Sequence, residues 1–427
     1  MKKKLLILFV LATTQSFAQN YTSYFTGDTA DVTTNHQQGT CLMGGATEND
    51  NAMIWFLNKA DGGDVVVLRA SGADGYNDYF YSELGITINS VETLVINNAS
   101  GALDPYVLQQ VENAEAIWFA GGDQFDYITY FKDNAMEDAL NEFINVKKGV
   151  IGGTSAGMAI LGGHYFDAEN GTVTSEQALT NPYDSRVSLG HSDFLQIPYL
   201  ENVITDTHFD NPWRTGRLLA FMARIIVDRN VRATGLACEE FTSICIEADG
   251  KARVFGSYPA FGDFVYFAQP ECFDYNPDTC EPGEELVWFD GLQVLKVPAT
   301  ESGDITIHLD TWEVITSEGE WEHWIKFDSG PFLVVKVPGE NPDCIVLETP
   351  DFSSEDIKAY PSPFSTGFEI SNAQGNKVEV FDLFGKMLLE INSYDGNRLG
   401  VVTWANGIYF VKISEGQKTT TIKVIKN

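Results

Sequence analysis

Gly153-Thr154-Ser155-Ala156-Gly157 is the segment of this sequence best suited to chemistry. A seryl hydroxyl is a weak nucleophile unless it is exposed, paired with a base and faced by donors for the charge that develops on the attacked oxygen. Val150-Ile151 reads as the end of a strand, Gly152–Gly157 as a tight turn, and Ala156-Gly157-Met158-Ala159-Ile160-Leu161 as the start of a helix. A Gly-x-Ser-x-Gly turn between strand and helix presents the hydroxyl at the sheet edge, and its glycines relieve crowding around a strained seryl backbone. The motif also occurs as an incidental turn; here the strand-to-helix context favours catalysis. Ser155 is the candidate nucleophile.

A base should follow downstream. Of the six histidines, His36 precedes the core, His308 and His323 lie in a late β-rich region, and His164 and His191 read as loop residues without a charged constellation. His208 closely follows the run Asn202-Val203-Ile204-Thr205 and precedes Arg214 and Arg217 at the start of a helix expected over 215–228. A lone histidine near a strand end is more often structural, and the arginines reverse that balance. The arginines either grip a substrate carboxylate bidentately or pair with acids of the chain.

These groups need a scaffold. Thr40–Met43, Asp64–Leu68, Thr93–Ile96, Ala116–Phe119 and Gly149–Ile151 read as buried strands, several of them continuous apolar runs of the kind found in parallel sheets. Asn51–Ala60 and Glu137–Val146 carry apolar residues at helical spacing between them. The alternation predicts an α/β fold with a parallel doubly wound sheet, whose functional groups collect where strands turn into helices. Gly44-Gly45, Gly121-Gly122 and Gly152-Gly153 each follow a strand closely, placing three glycine turns along one sheet edge.

After about Arg253 the pattern changes to strands rich in aromatic and β-branched residues, Leu286–Phe289, Leu292–Val297, Ile305–Leu309 and Phe332–Val337, expected to cap or extend the main domain. Tyr360-Pro361-Ser362-Pro363 opens a small all-β region with strands at Lys377–Asp382, Lys386–Glu390, Gly407–Ile413 and Thr419–Ile425.

Sixty acidic against 27 basic residues give a formal charge of −33, which excludes a phosphate-binding surface and hence a nucleic-acid partner. Lys2-Lys3-Lys4, the apolar run Leu5–Ala12 and the small residues Ser16 and Ala18 form a secretory leader over 1–18, too short to span a bilayer. Cys272 and Cys280 bracket a loop-like segment and are expected to form a disulfide in an oxidising compartment; Cys41, Cys238 and Cys245 sit in apolar runs as buried thiols. No His/Cys spacing implies a metal, and no cofactor is called for.

Gly44-Gly45-Ala46-Thr47-Glu48, Gly121-Gly122-Asp123-Gln124, Gly152–Gly157 and Asp206-Thr207-His208-Phe209 with Arg214 and Gly216-Arg217-Leu218-Leu219 resemble, in order, the motifs of cyanophycinases and related peptidases. The resemblance covers roughly residues 38–310. It implies the fold of class I glutamine amidotransferases and a triad of Ser155, His208 and Glu240, Glu240 being better placed than Glu239. The order Ser, His, Glu differs from that of α/β-hydrolases, and the serine speaks against an amidotransferase, which uses cysteine. Ala156 with Gly122 or Asp123 would supply the oxyanion donors. Gln124, Asp206, Arg214 and Arg217 would surround a peptide or polymer substrate. Thr207 and Pro212 stand where cyanophycinases carry Gln and a further Arg, which leaves an altered pocket, an aspartyl dipeptidase-like activity, or an inactive surface-binding protein as alternatives.

The last 70 or so residues resemble the sorting domain of type IX secretion cargo, through Val378–Lys386, Asn406-Gly407-Ile408-Tyr409 and Thr421-Ile422-Lys423-Val424, which implies the secretion machinery as partner and a secreted or cell-surface location. The expected layout is a leader over 1–18, a peptidase domain with its β-rich extension over 19–345 and a β-sandwich over 346–427, and the assembly is left open, a homodimer being one option.

Overall fold

The computed structural model describes residues 20–315, 319–328, 330, 333–342, 357–415 and 418–427. The expected leader lies outside them. The described residues fall into two compact units, one within Met1–Asp343 and one within Cys344–Asn427.

The first unit holds two large sheets. One has ten strands: β1 (Tyr21–Gly27), β2 (Gly39–Met43), β3 (Asp64–Arg69), β4 (Ser90–Ile96), β5 (Ala116–Phe119), β6 (Val150–Thr154), β11 (Ser243–Glu247), β12 (Lys251–Tyr258), β15 (Thr306–His308) and β16 (Glu313–Val314). Their spatial order is β1-β4-β3-β5-β6-β2-β11-β12-β15-β16. The five strands from β4 to β2 run parallel, and both flanks are antiparallel. The continuous apolar runs follow from this position, because the parallel strands are covered on both sides. Val66, Leu68, Ile117, Phe119 and Ile151 enter one core. Their neighbours Val65, Val67, Ala116, Trp118 and Val150 enter the other, under helix Asp50–Lys59.

The other sheet has eight strands: β7 (His164–Phe166), β8 (Leu189–His191), β9 (Val203–Asp206), β10 (Thr234–Cys238), β13 (Phe264–Pro270), β14 (Trp288–Pro298), β17 (Glu320–Lys326) and β18 (Val335–Pro338). They are ordered β18-β17-β14-β13-β10-β9-β7-β8. The late strands thus divide their work: some lengthen the first sheet, and others join β9 and β10 in the second. The two segments expected over Leu286–Phe289 and Leu292–Val297 are one strand, β14, whose register shifts between Trp288 and Leu292. Helix Thr215–Arg229 buries Leu218, Leu219, Phe221, Met222, Ile225 and Ile226 in the core beside this sheet and ends at Asn230 in the left-handed conformation.

His164 and His191, expected in loops, face each other across the β7/β8 pair. Gly152 and Gly153 lie inside β6 rather than after it. Cys41, Cys238 and Cys245 are buried free thiols. The bridge expected between Cys272 and Cys280 is not formed. Cys280 is a free thiol packed in the apolar core with Leu286 and Trp288, whereas Cys272 is only half-buried, in a surface loop. Burial pushes the Cys280 thiol up to about 12, which keeps it protonated and unreactive.

The second unit has a four-stranded antiparallel sheet of Met387–Ile391, Lys377–Asp382, Gly407–Glu415 and Lys418–Lys426 in that order. A small three-stranded sheet accompanies it, and Phe364, Phe368, Val378, Val380, Tyr394, Val411 and Val424 fill its core.

Candidate active site

Ser155 stands between the end of β6 and the helical turn Ala156–Ala159 with φ 53° and ψ −115°, a conformation that costs an L-residue energy unless its surroundings impose it. Here they do. Its amide donates to Met43 O (3.1 Å) and its carbonyl accepts from the Ala159 amide (2.9 Å). A Cβ on Gly153 would fall 2.5 Å from the Gly157 carbonyl carbon, and one on Gly157 would fall 2.2 Å from Phe119 O. The glycines let the turn fold back against the end of β5.

His208 follows β9 and Glu240 follows β10, so nucleophile and base rise from different sheets. Ser155 Oγ and His208 Nε2 are 2.7 Å apart, and His208 Nδ1 and Glu240 Oε1 are 2.6 Å apart. With Nδ1–H held by the carboxylate, Nε2 carries the lone pair that faces the hydroxyl. The hydrogen bond from His208 holds the Glu240 carboxyl below its ordinary range, against the opposing effect of its partial burial, and Asn211 Nδ2 adds a donor at 3.3 Å. Glu239 points the other way: it accepts from Tyr266 Oη (2.7 Å) and the Phe264 amide (2.8 Å).

One strand end ties the three segments together. Met43 O accepts from the Ser155 amide, Gly44 O from the His208 amide (2.8 Å), and Gly45 O from the Phe241 amide (3.1 Å), the residue after Glu240. Three successive carbonyls thus set the spacing of the serine, histidine and glutamate segments.

The turn after β5 lies against the nucleophile, since a Cβ on Gly121 would be 3.5 Å from Ser155 Cβ. Gly122 adopts φ 155°, and Asp123 caps helix Gln124–Phe131 through the Phe125 amide (3.0 Å). Ala156, first in its helical turn, has an amide without an intrahelical acceptor. Gln124 Nε2 donates to Phe166 O at 3.4 Å.

Three of the residues expected around the substrate make bonds within the protein instead, two of them to each other. Arg217 and Asp206 form a buried two-point ion pair, with Nε to Oδ2 at 2.9 Å and a second bond from Nη2 to Oδ1. The Arg217 side chain is 5% exposed and lies over the rings of Phe166 and Phe221. Arg214 Nη1 donates to Thr207 O (2.8 Å), bracing the residue before His208; burial, then the charge of Arg217, brings its guanidinium down to about 10. Ser155 and His208 open instead into a cavity of about 310 Å3 walled by Glu48, Arg69, Tyr76 and Gly121 among others. Glu48 stands in a glycine motif visible in the sequence; nothing in the spacing marks Arg69 or Tyr76. Among the described residues no group of His, Cys, Asp and Glu is arranged to hold a metal ion.

Residues 358–427 match the family model of the secretion system C-terminal sorting domain. Over 232 residues, 52% of the chain, the sequence is 25% identical to the cyanophycinase of Synechococcus elongatus, and over 209 residues, 47% of the chain, 25% identical to that of Geminocystis herdmanii. The chain is similar to cyanophycinases over about half of its length. The match spans 66% of the length of the first relative and 70% of the second. Among solved structures, a peptidase from an acI-B1 Actinobacterium aligns with a TM-score of 0.37 and 15% identity, over 52% of this chain and 88% of that one. The sorting domain makes this a secreted or outer-surface protein.

Proposed function

We propose that the first unit is a serine peptidase of the cyanophycinase kind, acting through an acyl-enzyme on cyanophycin or on related aspartyl and β-aspartyl peptides. The single observation that carries this reading is the hydrogen-bond chain from Ser155 through His208 to Glu240, at 2.7 and 2.6 Å. His208 takes the Ser155 proton as Oγ attacks the carbonyl and returns it to the leaving amine, while Glu240 holds the imidazole in the required tautomer and stabilises its cationic form. The amides of Ala156 and of Gly122 or Asp123 face the oxygen that becomes negative. Water then repeats the sequence on the acyl-enzyme.

The departures at Thr207 and Pro212 bear on the choice of peptide, because Thr207 carries the carbonyl that holds Arg214. The reading includes removal of the 1–18 leader, export through the sorting domain and a homodimeric assembly. The test is a fluorophosphonate probe on the mature protein, joined to a hydrolysis screen over cyanophycin, β-aspartyl dipeptides and N-terminal aspartyl peptides. Labelling of Ser155 with turnover of one substrate class supports the proposal. An unlabelled, inactive but folded protein replaces it with a surface-binding role on the same fold.

A further inference from the structure

Arg217 is committed to Asp206 and Arg214 donates to the Thr207 carbonyl, and neither of them lines the cavity of Ser155 and His208. The geometry points instead to Arg69 as the residue that binds a substrate carboxylate and sets the specificity of the cavity. Arg69 ends β3 and walls the same cavity as Ser155 and His208. Its guanidinium is held in place by backbone: Nε donates to Ser71 O (2.5 Å) and Nη1 to Ala73 O (2.6 Å). Gly72, at φ 100°, closes the loop around it, and a Cβ there would fall 2.2 Å from Nη2. The remaining donors of the fork have no acceptor among the described residues, and no carboxylate forms an ion pair with it there.

An arginine in that state is unusual in a chain of 60 acidic and 27 basic residues. Glu48, the acid in the same cavity, accepts instead from Tyr76 Oη, and burial is the main cause that raises its carboxyl above the ordinary range, opposed in part by that bond and by the charge of Arg69. A rigid, planar cation with free donors fits a carboxylate bidentately. The cavity volume is at the lower end for ligand pockets, enough for one residue of a substrate. The ligand class is therefore a peptide whose free carboxylate belongs to the residue that supplies the scissile carbonyl. Glu48 and Tyr76 line the same cavity as Arg69.

This inference rests on the peptidase reading of the same cavity, and binding separates the two. Calorimetry on the Ser155→Ala protein would compare aspartyl-alanyl-alanine with its uncharged isostere asparaginyl-alanyl-alanine. A charge-assisted two-point contact predicts a preference of about tenfold to a hundredfold for the aspartyl peptide. Adding Arg69→Gln should bring that ratio near one, and adding Arg69→Lys, which keeps the charge without the fork, should leave part of it. Equal or absent binding of the two peptides to Ser155→Ala, or a ratio that survives Arg69→Gln, overturns the assignment. If Arg69→Gln does not fold, the isostere pair on Ser155→Ala and the Arg69→Lys variant decide it. Fluorophosphonate labelling of the unaltered protein reports separately on the nucleophile. Labelling without carboxylate preference removes the Arg69 site alone, and preference without labelling removes the peptidase reading alone.

Discussion

The imidazole of His208 occupies the space that a side chain on Gly45 would need: a Cβ built there lies 2.4 Å from both Cε1 and Nε2. Gly45 also has φ 123°, so any other residue would be strained as well as obstructive. Gly45→Ala should push the ring away from Ser155 and lower kcat by about 100-fold, the scale expected for a displacement near 1 Å. Steady-state kinetics beside a thermal melt checks this. Near-normal kcat would mean that the ring has room that the structure denies it.

Ser155→Ala and His208→Ala should each reduce kcat by about three orders of magnitude or more, with the double variant little worse, because the residues act as one unit. Glu240→Gln should be milder, since the carboxylate orients the base without carrying the proton. Glu239→Gln should leave kcat almost unchanged and lower stability by about 1–3 kcal/mol through its bonds to Tyr266 and the Phe264 amide. A reversed order of the two glutamates would show that the acid has been misassigned.

Asp206→Asn removes the counter-charge from a buried arginine and should cost about 3–5 kcal/mol of folding stability. Urea denaturation gives the number directly. A loss confined to substrate affinity, with the midpoint unmoved, would return Asp206 and Arg217 to substrate recognition.

His164 and His191, with Nδ1 atoms 3.3 Å apart, are both lowered to about 4 from the ordinary 6.5. Burial is the main cause for each, followed for His164 by its partner and then Arg229, and for His191 by Arg229. Below about 6.5 the unfolded chain takes up protons that the folded chain refuses, so stability should fall as pH drops from about 6.5 towards 4. Urea midpoints measured across that window should decline, and His191→Gln should flatten the slope. An unchanged slope would assign the acid sensitivity to other groups.

Much of the scaffold was legible because burial on both faces leaves an unmistakable residue pattern. Ala116–Phe119 and Lys377–Asp382 were read with the bounds they have in the structure, and the helix expected over 215–228 is one residue short. β1 carries no such pattern because it is an edge strand with mostly exposed, polar-interleaved residues, Tyr21-Thr22-Ser23-Tyr24. The second sheet was hidden for another reason: β10 owes its place to β9 before it and β13 after it, a pairing that no local signal reports. At the site, Ser155 is marked by its glycines and His208 by the arginines after it, whereas Glu240 enters only through the resemblance. The choice for Arg217 between a substrate and an acid of the chain is not legible, because its partner Asp206 lies eleven residues back, on a strand whose side-chain direction only the fold reveals. Arg69 was invisible, since its environment is made by the loop that follows it.

The three carbonyls at Met43, Gly44 and Gly45 also govern timing. Their strand must be enclosed between β6 and β11 before they can hold the serine, histidine and glutamate segments, and Cys41 and Cys245, which touch across β2 and β11, are 204 residues apart in the chain. Closures of that range are slow steps in folding. The proposed triad is therefore assembled late, after both sheets have formed. A chain in which β11 has not yet joined β2 carries the serine, histidine and glutamate without the spacing that brings them into one hydrogen-bond chain.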